Sequence, residues 1–170
     1  MTIVDNNILS AFAKVGRLEL LSVIFDAVGT PPSVIDELDR AEAAGYEFVE
    51  EIDVIKSYND GWLDVIPLTA TELELAAEIR DHALSTTDAQ CLAVAHNRDR
   101  RLVTDDSHVG TIGQQHGVAV WDLVLVLQAS IQCGEISDPE ELTALIEALQ
   151  VEDGYRFAID DKASLFEQFE

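Results

Sequence analysis

Lysine is almost absent from this chain of 170 residues: Lys14, Lys56 and Lys162 are the full set. Lys and Arg together number 10 against 33 Asp and Glu, for a formal charge of −23. Such a surface stays hydrated and dispersed, and at low salt it repels polyanions. It reads as adapted to very high salt, where the screening length is only ~3 Å at 1 M, and it points to a halophilic source. In brine the charge no longer excludes a nucleic-acid substrate. Cysteine is nearly as scarce. Cys91 and Cys133 lie far apart on helical segments, which excludes a disulfide framework or a zinc motif and suggests reduced core thiols. The histidines His82, His96, His108 and His116 lack partners at ligand spacing. Neither a Ser–His–Asp arrangement nor a glycine-rich phosphate loop is evident. No apolar run approaches the ~20 residues of a membrane span, and the N-terminus shows no basic leader. The expected setting is the cytoplasm, without membrane partners. With 9 Gly, 4 Pro and 48% hydrophobic residues, the chain is not disordered.

What is there is an alternation of short apolar strands and amphipathic helices. Thr2-Ile-Val4 is a strand ending at Asp5, and Asn6 or Asn7 is placed to cap the helix that follows. Ala27 to Thr30 is a second strand, stopped by Pro31-Pro32, which starts a helix carrying Glu37 in its first or second turn. The acidic stretch from Asp39 to Gly61 reads as helical, exposed and mobile. Trp62 to Leu68 is a third strand, with Pro67 marking an edge. Thr69-Ala-Thr-Glu72 has capping-box spacing, opening a helix whose apolar face is Leu73, Ala76 and Ala77.

Ser85, Thr86 or Thr87 then caps a helix opening with Asp88; Arg101 to Thr104 is the fourth strand; Asp105 and Asp106 stand beyond its end. Ile112 to Gly117 closes a short helix, Val118-Ala-Val120 is the fifth strand, and Leu123 to Ile131 is an apolar helix. Asp138 caps a last amphipathic helix with Leu142, Leu145, Ile146 and Leu149 on one face, and the tail from Tyr155 folds back. The pattern predicts a three-layer α/β/α fold with a mostly parallel sheet of about five strands. Residues 1–136 form the main domain, and 137–170 a helical extension packed on it.

In such folds ligands bind beyond the carboxyl ends of the strands, where Asp5, Glu37, Asp88, Asp105 and Asp106 all fall. Any one of these acids could simply cap a helix or answer its dipole. Gathered without adjacent Lys or Arg, they cannot all stay ionised unless a cation neutralises them. All-oxygen ligation suits Mg²⁺ or Mn²⁺.

Four segments, in order, resemble the motifs of the PIN-domain nucleases, most of all the VapC-type toxins and their stand-alone relatives. They are Ile3-Val-Asp5-Asn-Asn7, Pro31-Pro-Ser-Val-Ile-Asp-Glu37-Leu, Ser85-Thr-Thr-Asp88-Ala and Leu102-Val-Thr104-Asp-Asp106. The resemblance covers roughly residues 2–136. It implies a Mg²⁺- or Mn²⁺-dependent ribonuclease with Asp5, Glu37, Asp88 and Asp106 as catalytic ligands. It favours Asp106 over Asp105 as the fourth, with both kept as metal ligands. Asn7, Thr87 and Thr104 would support the carboxylates or a water. RNA is the implied substrate, and an antitoxin protein and a second copy of the chain are the implied partners. A degenerate module that binds RNA or protein without cutting is the alternative. A phosphoacceptor receiver domain also gathers acids, but it needs a late lysine where Trp121-Asp122 stand here.

Overall fold

The structure is a computed structural model describing residues 1–80 and 83–170. His82 lies outside the described residues. Five strands form one all-parallel sheet: β1 (Thr2–Val4), β2 (Val28–Thr30), β3 (Leu63–Val65), β4 (Arg101–Val103) and β5 (Val120–Trp121), in the order β3-β2-β1-β4-β5. Strands β1 and β2 are buried throughout, as a parallel sheet covered on both faces requires. Helices cover it to make the expected three-layer α/β/α architecture. From β1 the chain moves outward to β2 and β3, then returns across the sheet to β4. That reversal opens a crevice at the carboxyl ends of β1 and β4.

The helices are α1 (Asn6–Lys14), α2 (Glu19–Ile24), α3 (Pro32–Ala43), α4 (Val49–Ile55), α5 (Ala70–Arg80), α6 (Thr86–Asn97), α7 (Ser107–Gln115), α8 (Leu123–Gln132), α9 (Pro139–Ala148) and α10 (Ile159–Glu167). None is long and apolar enough to cross a membrane. Helix α6 is buried almost all round, packing on α3, α5, α7, β1 and β4. The Thr69–Glu72 capping box forms in both directions, at 2.8 and 3.2 Å. Asp138 caps α9, and its four predicted apolar residues are buried. A π-helical turn, Leu149–Asp153, then lies against α1.

Several expectations are corrected. Asp5, not Asn6 or Asn7, caps α1, because the strand ends one residue before the helix begins. The acidic stretch after Asp39 is not wholly exposed. Val49 and Ile52, three apart on α4, are fully buried, and Lys56 is buried between Asp53 and Asp39. On α5, Ala76 and Ile79 face inward while Leu73 is half exposed, since buried Glu72 sets the inner face. The helix after the acid pair, capped by Asp106, ends at Gln115 and not at Gly117. The fifth strand begins two residues late because Val120, not Val118, is in register with Leu102. Cys91 is a core thiol, but Cys133, at the end of α8, is exposed.

Two glycines make a sharp contrast. A Cβ on Gly61 would overlap the Ile55 backbone carbonyl, whereas one on Gly110, inside α7, meets only Val120 at 3.8 Å. Gly61→Ala should therefore destabilise by about 1–3 kcal/mol as overpacking. Gly110→Ala should be neutral or gain up to about 1 kcal/mol of helix propensity. Thermal unfolding of both variants checks this, and equal shifts would refute the steric account.

Candidate active site

Asp5 sits where β1 passes into α1. Its Oδ1 accepts from the Ile8 N–H at 2.9 Å, capping the helix. Its Oδ2 is buried and, among the described residues, meets no partner of full hydrogen-bonding geometry, although the Thr104 hydroxyl lies near enough to favour the charged carboxylate. Burial pushes the Asp5 carboxyl up to about 7, and Asp105 and Asp88 add to the rise; nearby Thr104 and the Ile8 N–H temper it. Leaving a buried acceptor unsatisfied is costly, so this atom needs an explanation.

The other acids are each tethered. Asp88 lies in the first turn of α6, where Ser85 accepts from its N–H at 3.0 Å and donates to its Oδ2 at 2.7 Å. Partial burial raises its pKa, and Asp106 and Glu37 raise it further. Glu37, in the second turn of α3, accepts from Thr87 at 2.6 Å and from the Asn6 amide at 3.0 Å. Asp106 is exposed and caps α7 through the N–H groups of His108 and Val109. Asp105 accepts from the Leu123 N–H at 3.0 Å and the Tyr155 hydroxyl at 3.2 Å, and burial raises its pKa.

These contacts link all five acids. Asp5 senses Asp88 and Asp105, and Asp88 senses Glu37 and Asp106. The fully buried Cys91 thiol, pushed well up by burial, senses Asp5, Asp88 and Glu37 from below. No ion pair with Lys or Arg engages any of the five among the described residues. Equally, among the described residues no three His, Cys, Asp or Glu side chains stand close enough to hold a metal ion as placed. The tethers explain this: each carboxylate is turned toward its own hydroxyl or amide donor.

The four motif segments thus sit at one end of one sheet, around one crevice. A family model described as DUF3368, PIN domain, matches residues 1–169. The chain belongs to the PIN-domain family. The match runs through the last helices as well as the sheet. No curated protein matches the chain. Membership supports a nuclease-type hydrolase, and PIN domains typically use divalent metal ions. Within this PIN domain, Asn7 is exposed and lines a cavity beside the acids, while Asn6 makes the bond to Glu37. Asn6 was missed because motif register points to its neighbour. Tyr155 was missed because its bond to Asp105 spans 50 residues, and no local pattern announces a contact across that separation.

Proposed function

We propose that this PIN domain is a Mg²⁺- or Mn²⁺-dependent endoribonuclease that hydrolyses RNA phosphodiester bonds. It would act either as a toxin restrained by an antitoxin protein or as a free-standing processing enzyme. The observation that carries this reading is the orphaned, buried Oδ2 of Asp5, ringed by carboxylates with no cation of the chain paired to them. Such a donor set suits a hard divalent ion. Asp5, Glu37, Asp88 and Asp106 would hold it, with Asp105 beside them. A bound ion would supply water activation and charge neutralisation at the phosphodiester.

The chain's own residues do the positioning. Capping α1 fixes Oδ1 of Asp5 and leaves Oδ2 for a ligand. Thr87 and Asn6 aim Glu37, and Ser85 aims Asp88. Thr104 accepts from the Asp106 N–H at 3.2 Å and steadies the turn between the two acids. One observation favours the alternative, a module that binds without cutting: no three ligating side chains converge among the described residues. Incubation with single-stranded RNA and Mn²⁺ in molar KCl decides between them. Internal cuts that excess EDTA abolishes are expected, with activity rising from low to molar KCl as screening relieves repulsion. Intact RNA with pure, folded protein would replace the nuclease reading with the binding module.

A further inference from the structure

A cavity of about 590 Å³ opens beside the acids, between α1, the turn joining α3 to α4, and the segment after the π-helical turn. Its wall includes Lys14, Tyr46, Phe48, Asp105, Tyr155 and Arg156. Asp105 lines both this cavity and a second of about 270 Å³ that also takes in Asp106, so the first cavity reaches the acid site at Asp105. Phe48 and Tyr155 are half-buried, whereas Tyr46 is 57% exposed and meets Phe48 at a tilt of 59°, with centroids 6.1 Å apart.

We propose that this cavity seats an unpaired nucleobase of single-stranded RNA next to the phosphodiester at the acids, stacked on Tyr46 and walled by Phe48 and Tyr155. The proposal rests on the ribonuclease reading and adds to it a base-binding cavity lined by named residues. The walls are built to stay in place. Lys14 reaches Asp153 at 2.8 Å and lies 5.0 Å over the Phe48 ring, joining α1 to both other walls. The Tyr155 hydroxyl on Asp105 ties the aromatic wall to the acid site. At the rim, Arg156 is exposed and pairs with no acid among the described residues, which leaves it for a phosphate. The volume is that of a small-ligand pocket.

The charge favours stacking as the main attraction. A chain at −23 with 10 cations gains little from counterion release, beyond a contact such as that of Arg156. Base stacking on aromatic rings tolerates any sequence and does not itself rest on charge attraction. A base in a duplex presents no free face, so only an unpaired one enters.

Binding of a short fluorescent single-stranded RNA is measured by anisotropy in EDTA and molar KCl, where nothing is cut. Tyr46→Ala should weaken it by about 5- to 150-fold, the loss of one stacked base. Tyr46→Phe should restore it, and Tyr58→Ala, an exposed tyrosine outside the cavity, should change nothing. Blunt duplex RNA should bind more weakly and ignore Tyr46. Equal binding by wild type and Tyr46→Ala overturns the proposal, as does equal Tyr46 dependence for duplex, or no binding of RNA at all. If Tyr46 matters only for a protein partner, the cavity is a protein dock and the proposal falls. The two readings fail separately. Tyr46-dependent binding without cleavage in Mn²⁺ refutes the nuclease and keeps the pocket. Cleavage with KM unchanged in Tyr46→Ala does the reverse.

Discussion

Asp5→Asn should cut RNA slower than wild type by about 100-fold or more, yet unfold at a higher temperature in EDTA. Loss of support around a metal ligand already costs about 10–100-fold, and loss of the ligand itself should cost at least that. The stability gain follows from burial. In the folded chain the Asp5 carboxyl is pushed up from 3.8 to about 7. A raised carboxyl pKa means the folded state holds its proton longer, so stability falls as pH rises from 3.8 to 7 and stays lower above. At about 1.4 kcal/mol per pKa unit, the loss at pH 8 is at most about 4 kcal/mol. Asparagine carries no charge to bury and still caps α1, since Asn and Asp are equally good caps. Asp88→Asn should also lose most activity while folded. Asp53→Asn, the same charge change on α4, should leave cleavage unaltered. An Asp5→Asn protein less stable than wild type in EDTA at pH 8 would mean the cap outweighs the buried charge.

The largest loss of stability is expected at Glu72. Its side chain exposes no surface, because Arg98 covers it rather than because it lies deep. It accepts from Arg98 Nε at 2.6 Å and Nη2 at 2.9 Å, and from the Thr69 N–H at 2.8 Å. The Arg98 guanidinium holds its pKa down at about 2. This carboxylate joins the start of α5 to the end of α6. Arg98 is partly open to solvent, so the cost is below that of a deeply buried pair; losing these charge-assisted hydrogen bonds should cost about 1.5–3 kcal/mol in Glu72→Ala. Here the linkage has the opposite sign to Asp5. The folded pKa lies below the ordinary 4.5, so the stabilisation is present above 4.5 and is lost as pH falls toward 2. Urea unfolding of wild type and Glu72→Gln should differ most near neutrality and converge by pH 2. A constant gap across that range would assign the effect to packing.

The elements were legible wherever a local pattern carried them. Strands β1, β2 and β4 are short runs of β-branched and apolar residues stopped by acids or proline, and the Thr69 and Asp138 caps follow from spacing alone. What local pattern could not show was long-range. Leu73 reads as core by periodicity, but the inner face of α5 is set by a salt bridge to a residue 26 positions away. The edge strand β5 depends on register with β4, which no residue in Val118–Val120 encodes. The site divides in the same way. Each acid lay in a recognisable segment, whereas the Asn6–Glu37 and Tyr155–Asp105 bonds exist only once the sheet has brought those segments together.

The two cysteines turn this arrangement into a gauge. A thiol reagent meets exposed Cys133 at once, but reaches Cys91 only when α6 parts from the sheet beneath Asp5, Asp88 and Glu37. The ratio of the two modification rates, read within one molecule, measures the free energy of opening beneath the acids. Anything that settles among those carboxylates must slow Cys91 and spare Cys133. Occupancy of the crevice can thus be followed without any RNA being cut.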